Sequence, residues 1–139
     1  MNMDQFTKKS LEALQSAQSL AVERGNQQIE QAHLLLALVG DEQGLVPQLL
    51  EAMGRSADSV RAAAEQRVDK LPRVSGGGRQ ADRVYIAQSV DKALQGAREI
   101  ARSMKDDFIS VEHLLLGLAS QPNSPAGQAL CSRGLGAAA

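Results

Sequence analysis

The side chains best suited to chemistry in this sequence are two histidines, His33 and His113, and a single cysteine, Cys131. A metal site on a helix needs further His, Cys or carboxylate ligands at helical spacing. Neither histidine has such a partner except the adjoining Glu112, which projects from another part of the helix. We therefore expect a structural role, in which each ring caps or bridges the start of a helix. Cys131 could be a nucleophile only beside a base, and none is indicated, so we expect a small packed side chain.

A second candidate site is the run of three glycines, Gly76–Gly78, in the segment Leu71–Asp82. Gly-rich loops can cradle phosphate, but the P-loop also needs a preceding strand and a Lys followed by Ser or Thr. Both are missing here, so a phosphate site is the weaker interpretation. With Pro72 nearby, the glycines instead predict a flexible linker over about residues 72–81.

The two histidines occupy equivalent places in an internal duplication. The segment HLLLAL at His33–Leu38 returns as HLLLGL at His113–Leu118, 80 residues later. When Phe6–Gly54 is laid over Ile86–Gly134 without a gap, fourteen positions are identical. Unrelated segments of this length match at only a few positions, so both halves are expected to share one local structure.

The elements of each half are predicted to be helices, because the chain is rich in Ala and Leu and has few aromatic residues. Apolar residues at steps of three and four place Phe6 on the stripe of a long helix ending near Gly25, and Ile86 and Met104 on the stripe of its copy. Second helices begin near Glu30 and after Ser110, third helices cover about 45–53 and 126–133, and a fourth covers about 57–71.

Composition excludes several classes of function. The 15 basic and 16 acidic residues give no basic field, so we expect no nucleic-acid partner. The longest purely apolar run, Leu34–Val39, is far too short to cross a membrane, and the first residues lack the apolar core of a signal peptide. One cysteine cannot form an internal disulfide, which favours a reducing cytoplasm.

Paired "EHLLLGL"-type segments, each after a long Ala-rich helix, resemble the Clp N-terminal repeat found at the head of Hsp100 unfoldases. The resemblance covers residues 1 to about 135. The segments MDQFTKKSLEALQSAQSLA, LPRVSG and DDFISVEHLLLGL are most similar to the ClpB disaggregase branch. In place of the "GTEH" typical of the ClpC branch, this chain has EQAH at Glu30–His33 and SVEH at Ser110–His113.

The resemblance implies an all-α fold in which two four-helix repeats, related by a pseudo-twofold axis, pack into one globular domain. Repeat 1 would cover about residues 1–71, repeat 2 about 82–135, and 136–139 would be a tail. The last helix of repeat 2 would be missing, and the ending GLGAAA suggests that the chain is cut at the domain edge or carries a foreign tail.

The resemblance also implies a larger parent protein, a homohexameric AAA+ ATPase that works with the Hsp70 system on unfolded or aggregated polypeptides. These 139 residues contain no Walker motif, so we assign them no catalytic, cofactor or metal residue. ATP and Mg would bind elsewhere in the parent protein. The isolated domain is expected to be a cytoplasmic monomer.

The expected activity of the domain is weak binding of unfolded polypeptides in an apolar groove with a polar rim. The family pattern places substrate-contacting residues at Thr7, Asp106 and Glu112. Each also has a structural explanation: Thr7 as a cap, Asp106 as a loop charge and Glu112 as a helix-dipole partner. We add Tyr85 and Leu94 from the first helix of repeat 2, although Leu94 also fits a core position.

Two other functions remain open from the sequence. One is an adaptor-docking domain of a ClpC or ClpA unfoldase that feeds a protease. The other is a free-standing helical scaffold or a small hydrolase. An 80-residue period is too long for common solenoid repeats, and a hydrolase would need a nucleophile paired with a base.

Overall fold

The computed structural model describes residues 5–40, 44–52, 54, 56–71 and 85–119. The fold is mostly helical, which confirms the predicted all-α class, and it adds two strands of two residues each. In chain order the elements are α1 (Lys8–Glu23), β1 (Gln28–Ile29), α2 (Gln31–Gly40), α3 (Leu45–Ala52), α4 (Ala57–Asp69), β2 (Tyr85–Ile86), α5 (Gln88–Ser103) and α6 (Val111–Ala119).

Several expectations fall outside the described residues. They are the linker at 72–81, the second copy of the third helix at 126–133, Cys131, the missing eighth helix and the tail at 136–139. In the described part of the chain, no helix is both long and apolar enough to cross a membrane.

The long helices α1 and α5 each use a stripe of alanines to pack against the second helix of their own repeat, α2 and α6 respectively. Ala17 and Ala21 on α1, and their copies Ala97 and Ala101 on α5, are buried. Such small side chains let a neighbouring helix approach closely. The Leu-rich helices α2 and α6 lie against these stripes and supply most of the largest fully buried side chains. Their buried leucines are Leu34, Leu35, Leu36, Leu38, Leu114, Leu115 and Leu118.

Three apolar residues at the helix ends are placed differently from the sequence prediction. Helix α1 begins at Lys8, because the Thr7 side chain accepts a hydrogen bond from the Ser10 N–H and so caps the helix. Phe6 precedes this cap and is buried, but it lies outside the helix. Ile86 belongs to β2 and is 49% exposed. Met104 is the C-cap residue of α5 and is 53% exposed. Helical spacing fails for all three because each lies just beyond the helix.

Short parallel pairings join the two repeats crosswise. Ile29 of β1 pairs with Ile86 of β2, and Phe6 forms an isolated parallel bridge with Ile109. Phe6 and Ile86 are duplicates of each other, as are Ile29 and Ile109. Each repeat therefore pairs the segment before its first helix with the segment before the second helix of the other repeat. The two pairings are therefore equivalent under the pseudo-twofold relation of the repeats.

The hydrogen bonds of the two pairings also correspond. The Thr7 N–H donates to the Ile109 carbonyl at 2.9 Å, and the Ala87 N–H donates to the Ile29 carbonyl at 3.0 Å. Ser10, which is fully buried, lies 2.8 Å from the same Ile109 carbonyl through its hydroxyl oxygen. The same hydroxyl oxygen lies 2.8 Å from the Thr7 carbonyl, so its one proton can be donated within repeat 1 or across to repeat 2.

Candidate functional site

Each histidine ring joins the end of the first helix of its repeat to the start of the second. His33 Nδ1 accepts a hydrogen bond from the Glu30 N–H at 2.8 Å, and its Nε2 lies 2.8 Å from Asn26 Oδ1. A backbone N–H can only donate, so Nδ1 carries no proton and Nε2 donates to Asn26. The ring thus caps the N-terminus of α2, in the manner of the acidic residue of a capping box.

His113 repeats this arrangement with one chemical change. Its Nδ1 accepts from the Ser110 N–H at 2.9 Å, and its Nε2 lies 2.8 Å from Asp106 Oδ2. The Ser110 hydroxyl lies 2.9 Å from the same Nδ1. A carboxylate thus stands in repeat 2 where repeat 1 has an amide. These contacts confirm the capping and bridging role predicted for both histidines. Within the residues that the structure describes, no group of three or more metal-binding side chains comes together.

The surroundings of His33 hold the ring neutral. Burial, and to a smaller extent the nearby positive charge of Arg24, lowers the pKa of His33 to about 4. Arg24 is itself held by two carboxylates of α4, because its guanidinium lies 3.1 Å from an oxygen of Glu65 and 3.1 Å from Asp69 Oδ1. Burial also raises the pKa of Glu30. His33 thus links the end of α1 to the start of α2, and Arg24 links the end of α1 to α4.

Thr7, Asp106 and Glu112 flank the Phe6–Ile109 bridge. Thr7 follows Phe6 and caps α1, Asp106 lies three residues before Ile109 and accepts from His113, and Glu112 lies in the first turn of α6. The structural explanations of Thr7 and Glu112 therefore agree with their positions. For Asp106, the partner is the buried histidine, although its side chain remains 46% exposed.

The two residues added from the second repeat are placed very differently. Tyr85 lies in β2 with 66% of its surface exposed, beside the other pairing rather than beside the Phe6–Ile109 bridge. Leu94 is only 3% exposed and belongs to the core. The structure thus corrects the groove position suggested for Leu94: α5 turns it inward with Val90 and Ala97, out of reach of a surface ligand.

A groove with a volume of about 530 Å³ lies between α1, α2, α3 and the start of α6. We call it the α1–α3 groove; its lining residues include Ala13, Leu38, Leu45, Val46 and Val111, with Lys9 and Glu12 along one rim. Leu45 is 44% exposed, and Lys9 Nζ lies 3.6 Å from Glu12 Oε2. The groove therefore presents apolar side chains next to a charged rim.

Sequence reasoning did not find this groove, because its residues come from four elements. Leu45 appeared only as the start of a predicted helix, and Val111 only as the residue after Ser110. The available signal was the short segment LVPQLL at Leu45–Leu50, whose four aliphatic residues are more than one buried face of a short helix requires.

Two interlocked helical repeats, each closed by a capping histidine, define a duplicated helical domain. The model of the family described as "Clp repeat (R) N-terminal domain" matches residues 5–132, and the chain belongs to this family.

The similar proteins include chaperones named ClpB. That of Nitratidesulfovibrio vulgaris is 40% identical over 124 residues, which are 89% of this chain and 14% of the relative. That of Rhodopseudomonas palustris is 37% identical over 135 residues, which are 97% of this chain and 15% of the relative. The chain thus spans only a small part of the length of these relatives.

A solved structure shows the same fold. The N-terminal domain of Hsp104 from Candida albicans has a TM-score of 0.76 and 18% sequence identity, and the match covers 96% of this chain and 84% of that domain. This agreement, together with the helical architecture, confirms the predicted fold class.

Proposed function

We propose that this domain binds unfolded or aggregated segments of other proteins, weakly, in the α1–α3 groove, as part of a ClpB-type disaggregase. The observation that carries the proposal is the exposed apolar lining of the groove at Leu45 beside the charged pair Lys9 and Glu12. Unfolded chains expose apolar side chains, and such a groove can accept them without reading their sequence.

The remaining steps of the proposal concern the parent protein. ATP with Mg would be bound and hydrolysed in modules outside these 139 residues, in a cytoplasmic homohexamer that cooperates with the Hsp70 system. Weak binding suits such a division of labour, because a captured segment must leave the domain to be threaded elsewhere. The similarity to ClpB chaperones over most of this chain supports this assignment.

The first test is an NMR titration of the domain with reduced casein as an unfolded polypeptide. We expect fast-exchange shifts at the residues that line the groove. Leu45→Gln should weaken binding roughly threefold to tenfold, because it removes about 1 kcal/mol of apolar contact. Met104→Gln is the matched control, since Met104 is exposed to a similar degree but lies outside the groove. Equal losses in the two variants would contradict the proposal.

Thr7, Asp106 and Glu112 are kept as proposed polar contacts of a bound polypeptide, at positions outside the lining of the α1–α3 groove. Asp106→Asn is the cleanest test of the three, because Asn26 shows that an amide can occupy the equivalent position beside a capping histidine. This variant removes the charge of the carboxylate and preserves an acceptor for His113. A loss of casein binding without a loss of stability would support direct contact by Asp106, and unchanged binding would assign it to the histidine cap alone.

The adaptor-docking alternative predicts a different titration. A folded adaptor should give slow-exchange shifts and defined stoichiometry, whereas casein should give none. A scaffold with neither partner should show no shifts with casein even at high concentration. Titrations with casein and with a folded adaptor protein together separate the three functions, because only the adaptor titration distinguishes the docking domain from the scaffold.

A further inference from the structure

A second concave surface lies where α5 ends and the chain turns toward α6. It has a volume of about 430 Å³, and we call it the α5-end cleft; it is lined by Gln5, Arg98, Ala101, Arg102, Lys105, Asp106, Asp107, Phe108 and Ile109. It shares no lining residue with the α1–α3 groove. Its occupant must therefore be considered separately.

The cleft presents three cationic side chains that have no partner among the described residues. Arg98 and Arg102 lie one helical turn apart on α5, and Lys105 follows its end. None of the three forms an ion pair or a side-chain hydrogen bond in the described part of the chain. Elsewhere in the same part, Arg24 and Arg61 are both paired with carboxylates. Guanidinium groups without an ion partner in this part of the chain are suited to bidentate binding of a carboxylate.

Two carboxylates face the same cleft and must be counted. Asp106 accepts a hydrogen bond from His113 Nε2 at 2.8 Å, so part of its acceptor capacity is already used. Asp107 adds one more negative charge. Three basic residues against two acidic ones leave the lining with a positive excess.

The cleft also offers contacts for an apolar side chain and for a main chain. Phe108 is 55% exposed, although aromatic rings are usually buried. Gln5 carries a buried amide oxygen, Oε1, which has no hydrogen-bond partner in the described structure. A bound main-chain N–H could supply that partner after a small rotation of the amide. An acidic small molecule would use only the cations, whereas a polypeptide would use all of these groups.

The first repeat lacks these features. The positions equivalent to Arg98, Arg102, Lys105 and Phe108 carry Gln18, Val22, Gly25 and Gln28. Lys105 also keeps a backbone φ of 62°, a conformation that costs a lysine more than it costs the glycine of repeat 1. A strained, charged residue in place of a relaxed glycine is typical of a surface shaped by function.

We propose that the α5-end cleft binds an extended polypeptide segment in which an acidic residue neighbours a large apolar residue. The carboxylate would lie between Arg98 and Arg102, and the apolar side chain would pack on Phe108. This inference rests on the proposed binding of unfolded polypeptides and adds a preference to it: segments with acidic residues are held better than basic ones of equal hydropathy.

The test uses two synthetic twelve-residue peptides with the same Phe and Leu positions, one with Glu and one with Lys at the remaining charged positions. Fluorescence anisotropy with the domain should show tighter binding of the Glu peptide. The double variant Arg98→Gln/Arg102→Gln should weaken it roughly threefold to tenfold. Phe108→Ala should weaken both peptides.

Lys70→Gln/Lys92→Gln is the control for net charge, since both lysines are exposed and outside the cleft. An equal loss in this control, or no preference for the Glu peptide, would overturn the inference. The outcomes are distinguishable from those of the proposed function. If casein binding depends on Leu45 but no acidic preference appears, only this inference fails; if the acidic preference appears while Leu45→Gln has no effect, only the α1–α3 groove fails.

Discussion

Lys105 holds the left-handed backbone position after α5 that Gly25 holds after α1. The two φ angles are 62° and 74°. The next residue closes the same hydrogen bond in both repeats, because the N–H of Asn26 donates to Ala21 and the N–H of Asp106 donates to Ala101, each at 2.9 Å. Both helices therefore end in a Schellman-type turn, and only one of them uses the residue that this turn prefers.

Exchanging these residues should change stability in opposite directions. Gly25→Ala should lower the free energy of unfolding by about 1 kcal/mol, because a Cβ is strained at positive φ. Lys105→Gly should raise it by roughly 0.5 kcal/mol, since relief of strain exceeds the added freedom of the unfolded chain. Urea denaturation at neutral pH measures both changes. A stability loss in Lys105→Gly would show that the lysine makes a contact that compensates its strain.

Gly117 permits the close packing of α5 and α6. A Cβ built at this position would lie 2.5 Å from the Ala93 carbonyl oxygen and 3.2 Å from the Ala97 Cβ. Gly117→Ala should therefore destabilise the domain by about 1–3 kcal/mol, although alanine is the better helix former. Gly40→Ala is the control, because nothing lies within 4 Å of its Cβ position. It should leave the thermal unfolding midpoint unchanged or raise it; equal losses in both variants would argue against the close contact.

The duplication in the sequence predicts more of this fold than any single motif does. It places His33 and His113 in one structural role, and the shared caps confirm it. It does not predict the pairing of Phe6 with Ile109, because parallel pairing between distant segments leaves no local pattern. Repetition alone cannot say whether a segment pairs within its own repeat or with the other one.

The candidate site was less predictable than the fold. Leu94 and Tyr85 show the reason: both lie near the start of repeat 2, yet one is buried and the other is largely exposed. Helical spacing distinguishes a buried from an exposed residue only within a helix whose boundaries are known. Tyr85 lies before the start of α5, so the spacing does not apply to it. The lining of the α1–α3 groove depends on four elements at once, so no stretch of sequence contains it.

The burial of His33 should make the domain sensitive to acid. In the unfolded chain the ring takes up a proton as the pH falls through about 6.5, whereas the folded ring resists protonation until about 4. The unfolded state binds more protons in this window, so the free energy of unfolding should fall as the pH is lowered. The full effect is at most about 3 kcal/mol, and it is absent above the unfolded pKa.

NMR titration of the His33 ring measures its pKa directly. Urea denaturation between pH 7 and pH 4 measures the linked stability. His33→Gln is the matched variant, because glutamine can still cap α2 and does not titrate. The stability difference between the original domain and this variant should shrink toward pH 4. A ring that titrates near 6.5 in the folded domain would contradict the prediction.

Arg24→Gln should separate the two causes of the lowered pKa of His33, which are burial and the charge of Arg24. The positive charge of Arg24 is the smaller cause, after burial, so its removal should raise the pKa of His33 only part of the way toward its ordinary value. Loss of the ion pairs to Glu65 and Asp69 should cost about 1 kcal/mol or less, because they are partly exposed. Full recovery of the ordinary pKa in the NMR titration would mean that charge, rather than burial, dominates.

Asn26→Asp should give repeat 1 the histidine–carboxylate pair of repeat 2. Asn26 Oδ1 already accepts from His33 Nε2 at 2.8 Å, as Asp106 Oδ2 does from His113. A carboxylate at that distance favours the protonated ring, so the pKa of His33 should rise above that of the original domain. The folded and unfolded pKa values then lie closer together, and the loss of stability between pH 6.5 and pH 4 should diminish. An unchanged pKa of His33 in the NMR titration would contradict this prediction and show that the new carboxyl group itself takes up the proton. Position 26 is only 2% exposed, and burial there disfavours both the carboxylate and the imidazolium.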